Sequence, residues 1–189
     1  LDTGVLIPSE VDTDIVRQIN FKDTDFYIQG LLSRNPYDYF RSLGPQSSEY
    51  ARLLVEYQKL SEIIRNGAWS NIATDRILRF GDSGDDVVAI RNRLFDQGYM
   101  PNSISTKFDK NLLKAVQKYQ SDHGLIPDGI VGEGTILELN ISAEQRLSSI
   151  IVALERERWL GDTLGQRYIW VNLADFKAKI IEDLSLIHI

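Results

Sequence analysis

Between residues 47 and 66 apolar side chains recur three and four positions apart, at Tyr50, Leu53, Leu54, Tyr57, Leu60 and Ile64. That period lines one stripe of an amphipathic helix, and Gly67 stands where a helix-ending glycine belongs. A second stripe, Val87, Ile90 and Leu94, predicts a helix capped by Ser83 and ending near Gly98. A third, Leu112, Leu113, Val116, Tyr119 and Gln120, predicts a helix with Asp109 as its N-cap. Phe108 and Leu113 are placed as its hydrophobic staple, and it stops before Gly124. The glycine-rich turn DGIVGEGT (128–135) then leads into a short helix ending near Asn140. Ser142 and Gln145 form a capping box for a further helix carrying Leu147, Ile150, Ile151 and Leu154 on one face.

The flanks follow other patterns. Residues 1–45 are helical in composition but irregular, because Pro36 and Pro45 forbid one continuous helix. Ala68, Trp69 and Ile72 form an apolar connector, with Trp69 expected as a buried plug. Gly161 and Gly165 bracket a turn. After it the period changes to two, with Tyr168, Trp170 and Asn172 alternating against Ile169, Val171 and Leu173, as strands do. The last residues, DLSLIHI (183–189), fit neither period; 184–189 are expected to be read-through of an adaptor sequence and are left out of the fold.

Composition narrows the chemistry. Hydrophobic residues make up 43% and charged residues 25%, enough apolar material for packed cores. The net charge is −6, spread along the chain with no basic segment, which argues against nucleic acid and anionic membranes as partners. No run approaches a membrane span of about 20 apolar residues. The absence of cysteine removes thiol nucleophiles, disulfides and thiolate metal sites from these residues. With two histidines, His123 and His188, no metal or other cofactor is expected. The chain opens on Leu1, so an export signal is expected upstream of it.

The block from Phe80 to Asn140 resembles the three-helix peptidoglycan-binding module of bacteria. The resemblance lies in GDSGDDVVAIRNRL (81–94), the pair Gly98 and Tyr99, and FDKNLLKAVQKYQSDHGLIPDGIVGEGTILELN (108–140). The flanks NPYDYFRSLGPQSSEYARLLVEYQKLSEIIRNGAWSNI (35–72) and RLSSIIVALERERW (146–159) resemble the helical scaffold of YcbB-like L,D-transpeptidases. RYIWVNLADFKAKIIED (167–183) resembles the first strands of their catalytic domain. The resemblance implies a mainly α fold: a helical scaffold, a three-helix module, and the opening strands of a truncated β domain. The expected divisions are 1–78 scaffold, 79–140 module, 141–166 connecting helix, 167–183 start of the catalytic domain and 184–189 tail. It also implies an envelope location in a Gram-negative bacterium and peptidoglycan, stem and glycan, as partner, beside envelope proteins. The family's Ser-x-Gly-Cys nucleophile motif is absent from these residues, so no catalytic residue is assigned and only ligand class and location carry over. The alternatives are the wall-binding part of a hydrolase, and a spacer or docking module without ligand.

Candidate wall-contacting residues are Tyr99, Asn102 and Ser103 in one loop and Asp128 and Gly129 in another. Tyr99 is equally compatible with exposure as a sugar platform and with packing. Asn102 and Ser103 offer hydrogen bonds. The turn at Asp128 and Gly129 offers backbone amides to glycan, against a purely conformational role as an Asx turn with positive φ. His123 stands without partner ligands and is expected to be structural. Glu155 and Glu157 lie two apart on a helix, so they face different ways and make a poor glycosidase pair.

Overall fold

The computed structural model describes residues 3–17, 19, 21–33, 35–160, 165–172, 176–182 and 185–187. These residues form a mainly helical protein. In chain order the helices are α1 (Pro8–Val11), α2 (Thr24–Ser33), α3 (Pro36–Leu43), α4 (Ser48–Arg65), α5 (Asp85–Asp96), α6 (Lys110–Asp122), α7 (Glu133–Leu139) and α8 (Ala143–Leu160). The strands are β1 (Arg167–Asn172), β2 (Lys177–Glu182) and β3 (Ser185–Ile187). The chain divides into two compact units. One comprises residues 1–58 with 148–189, the other residues 59–147.

In the first unit the prolines act as punctuation. Pro36 occupies the first turn of α3, where its missing N–H costs nothing, and the Asn35 side chain accepts the Tyr37 amide at 2.9 Å. Gly44 ends α3, directly before Pro45. Tyr39, Leu43 and Tyr50 are buried here, and so are Leu154 and Trp159 of α8. Ile151, expected on the inner face of α8, is exposed instead, although it lies on the side of the helix that carries Leu154, Glu155 and Trp159; in this stretch burial begins only at Leu154. Glu155 is buried, and its Oε1 accepts the Val5 and Leu6 amides at 2.5 and 2.7 Å. Glu157 accepts from the Ser47 hydroxyl at 2.9 Å. The two carboxylates thus serve different neighbours, as their spacing requires.

The strands form an antiparallel sheet in the order β1-β2-β3, with Ile169 opposite Ile180 and Ile181 opposite Leu186. Residues 185–187, set aside from the fold on sequence, therefore pair as an edge strand. Alternation along β1 does not bury one face, because Ile169, Trp170 and Val171 are all exposed. Leu173 of the alternating pattern, and Gly161, lie outside the described residues.

The second unit is built around one core: Ile72, Leu78, Val87, Ile90, Leu94, Phe108, Leu112, Ala115, Val116, Tyr119, Val131 and Leu139. Each large apolar side chain withdrawn from water there contributes about 1.5–3 kcal/mol. Helix α5 begins at Gly84, whose φ of 131° suits glycine, and no side chain caps it. Ser83 is thus not the expected cap; it pairs through its backbone with Lys107 in an isolated bridge. Asp109 does cap α6, accepting the Asn111 and Leu112 amides at 2.9 Å each. Phe108 is buried and Leu113 packs against the same core.

Single backbone stitches replace a sheet in this unit. Leu78 and Val131 exchange N–H···O bonds of 3.1 and 2.8 Å. Gly81 donates to the Phe108 carbonyl at 2.9 Å, and Phe108 donates to Asp82 at 2.7 Å. Asn140 closes the unit: its side chain accepts the Ile72 amide and donates to the Ile72 carbonyl, each at 2.9 Å. Trp69 is half-buried rather than fully buried. Its indole N–H donates to the Ile141 carbonyl at 3.4 Å, and the Arg93 guanidinium lies 5.1 Å from its ring. The Ser142–Gln145 capping box forms with both reciprocal bonds, at 3.0 and 3.3 Å.

Candidate functional site

The two candidate loops flank α6 in sequence and are tied to neighbouring residues on it. Tyr99 follows the end of α5, where its amide donates to the Leu94 carbonyl at 2.8 Å. Its ring is partly buried against the core, edge-on to Tyr119 at 5.2 Å. Its hydroxyl lies 3.3 Å from His123 Nε2. Burial and the nearby Asp122 carboxylate push its phenol up to about 12. Tyr99 is therefore a packed residue with an engaged hydroxyl. Asn102 is exposed in the same loop, while the Ser103 hydroxyl accepts the Ser105 amide at 3.3 Å.

Asp128 and Gly129 are held by the other loop. Asp128 Oδ1 accepts the Ile130 amide at 2.8 Å, closing an Asx turn, and accepts from Gln120 Nε2 at 3.0 Å. Gly129 is buried at φ +75°, and its amide donates to Gln120 Oε1 at 2.9 Å. A Cβ at this position would stand 2.3 Å from Leu113 Cδ1. The Gly129 amide thus bonds Gln120 rather than pointing to a ligand. No described contact joins this turn to the Tyr99 loop.

His123 caps the end of α6, where its backbone N–H bonds the Tyr119 carbonyl at 3.0 Å. Its ring stacks on Tyr119 at 4.2 Å. His123 Nδ1 lies 3.0 Å from Glu138 Oε1. A neutral imidazole protonated on Nδ1 satisfies both neighbours, donating to Glu138 and accepting the Tyr99 hydroxyl hydrogen. Burial and the adjacent Arg146 guanidinium hold His123 below its ordinary value. Arg146 itself donates to the Tyr119 hydroxyl at 3.0 Å, the Glu138 carbonyl at 2.8 Å and the Glu138 carboxylate at 3.1 Å. This is a structural network around a histidine. Among the described residues no cluster of three or more His, Cys, Asp or Glu is arranged to hold a metal.

Two buried arginines escaped the sequence pattern. Arg91 donates to the Lys107 carbonyl at 2.6 Å and to Asp109 at 3.0 Å. Arg93 donates to the Leu139 and Ser70 carbonyls. Both were signalled by position: Arg91 lies four after Val87 and Arg93 three after Ile90, so they flank the apolar stripe on its two sides, next to the core.

A separate hollow of about 460 Å³ opens beside the start of α6. Phe80, Lys107, Asp109, Lys110 and Asn111 line it. Phe80, Lys107, Asp109, Lys110 and Asn111 were not among the sequence candidates for ligand contact; Phe108, which also lines the hollow, is an aromatic that could serve as a sugar platform but is expected as a staple.

The profile of the family described as "Putative peptidoglycan binding domain" matches residues 83–139, a span from just before α5 through the end of α7. The chain carries a peptidoglycan-binding domain there. An uncharacterized protein in the bpoA1 3' region of Kitasatospora aureofaciens is 38% identical over 73 residues, which is 38% of this chain and 62% of that protein. The chain thus spans less than two thirds of that relative's length. The crystal structure of a peptidoglycan-binding protein from Clostridioides difficile, in complex with glutamine hydroxamate, is 36% identical over 36% of this chain and 43% of its own, with a TM-score of 0.34.

Proposed function

We propose that this chain is the wall-binding, non-catalytic part of an L,D-transpeptidase, docking peptidoglycan so that the enzyme works near its acceptor stems. The observation that carries the binding half is the family match over residues 83–139, on a segment that closes around its own core. One small module with a shallow surface binds weakly. Tethering nevertheless raises the effective concentration of stems around an attached active site without new chemistry there. These residues hold no cysteine, so the acyl transfer belongs to sequence beyond them. The transpeptidase parentage is supported by the likeness of the flanks at 35–72 and 146–183, and with it goes our proposal of the periplasm of a Gram-negative cell as the location.

Sedimentation of the chain with purified sacculi tests the binding half. The chain is expected in the pellet, and full recovery in the supernatant overturns it. Reading the source gene past position 183 tests the parentage. A Ser-x-Gly-Cys motif downstream supports it, and a zinc-amidase or lysozyme-like sequence there overturns it.

A further inference from the structure

We infer that the hollow beside the start of α6 is a subsite for a carboxylate of the peptide stem, an inference that rests on the peptidoglycan reading above. Three observations meet there. The first is shape: the hollow is preformed, its walls fixed by the Gly81–Phe108 and Phe108–Asp82 backbone bonds. The second is an apolar wall: Phe80, 53% exposed, lines the hollow and is available to an alanyl methyl or a sugar face.

The third is charge. Asp109 lines the hollow, but its carboxylate is already committed to the Asn111 and Leu112 amides and to Arg91, whose side chain is 1% exposed. That ion pair is closed from one side by protein, and the α6 amides beside it are occupied. Lys107 and Lys110 are exposed on the same rim, and among the described residues neither joins a salt bridge. Two uncompensated cations therefore flank a concave site in a chain of net charge −6. Asn111 adds a side-chain amide able to donate and accept. A ligand that brings a carboxylate next to a small apolar group fits this set. The peptide stem, with carboxylates beside alanyl methyls, has that chemistry.

The test uses the full chain and purified sacculi, with soluble stem peptide, or the same peptide with its carboxylates amidated, as competitor. Wild type is expected to sediment with the sacculi and to be released from the pellet by the stem peptide but not by its amidated form. Lys107→Glu/Lys110→Glu should weaken binding roughly tenfold, the weight of two exposed ion pairs. Its melting temperature should hold, because an acid at position 110 sits favourably in the first turn of α6. Phe80→Ala, which shortens an exposed ring, supplies a second variant with the same expected loss, and Lys107→Arg/Lys110→Arg should bind as wild type does. If wild type fails to sediment at all, the peptidoglycan reading itself falls. If wild type sediments and the charge-reversed and Phe80→Ala variants sediment equally well, the hollow is overturned while that reading stands. Equal release by the amidated peptide overturns the carboxylate assignment.

Discussion

Gln120 holds Gly129 as one strand of a sheet would hold another: its side-chain carbonyl accepts the Gly129 amide hydrogen at 2.9 Å, while its amide group donates to the Ile130 carbonyl at 2.9 Å. The same amide reaches Asp128 and Thr135. One side chain, 2% exposed, thus shapes the whole turn between α6 and α7. Gln120→Leu keeps most of the volume and strands the Gly129 amide without a partner. It should lower stability by about 2–4 kcal/mol. A fall in the urea midpoint at unchanged slope checks this.

Gly129→Ala should be costly for two separable reasons. The φ of +75° is strained for any residue with a Cβ, and that Cβ would stand 2.3 Å from Leu113 Cδ1. Together these predict a loss of about 2–4 kcal/mol. Leu113→Ala removes the clash but leaves the backbone strain. In a double-mutant cycle Gly129→Ala should therefore cost less in the Leu113→Ala background, by the steric share.

His123 predicts a pH dependence. Burial and Arg146 hold the folded-state imidazole below its ordinary 6.5, so the unfolded chain takes up a proton first as pH falls. The stabilisation is complete above pH 6.5 and is lost progressively as pH drops from there toward the folded-state value. The charged and titratable groups facing the ring are Glu138, Arg146, Asp122, Tyr99 and Tyr119. Thermal melts from pH 7.5 to 5 should show a decline in wild type and a flatter profile in His123→Gln.

Glu155 predicts a loss in the same direction, at lower pH, in the other unit. Burial pushes its carboxyl up, but the Leu6 and Val5 amides, Trp159 and Arg158 outweigh that and hold it below the usual 4.5. Its contribution is therefore full above pH 4.5 and lost as pH falls through the lower folded-state value. Glu155→Gln should cost about 1 kcal/mol at neutral pH, and the acid-side loss below pH 4.5 should shrink. Faster hydrogen exchange at the Val5 and Leu6 amides is the local signature.

Periodicity made most of the second unit legible. The inner residues of α5 and α6, the Asp109 cap and the Ser142–Gln145 box all follow from short-range spacing, and all are where that spacing puts them. Ser83 misled because a serine before a helix is a strong cap signal, yet here the backbone pairing with Lys107 takes precedence and Gly84 starts the helix. Ile151 misled because the stripe gives the side of the helix and not how far along it the packing extends, and here burial begins at Leu154. The polar latches were hidden for a different reason. Gln120 reaches Gly129 and Asn140 reaches Ile72 across stretches that no local pattern spans. Of the candidate site, chosen by residue type, Tyr99, Ser103, Asp128 and Gly129 each bond within the fold, while Asn102 and Asp128 are exposed. The hollow went unseen because it joins residues 80–81 to 107–111, which only the backbone stitches bring together.

The paired bonds between Asn140 and Ile72 have a further consequence. They clasp the two ends of the module's chain side by side, as a drawstring closes a bag. A segment whose ends already meet can be lifted out of one host and set into a loop of another without stretching either. Fusing residues 69–147, which keep the Ser70 and Arg146 partners of the body, into an unrelated surface loop by short flexible joints should accordingly transplant it whole.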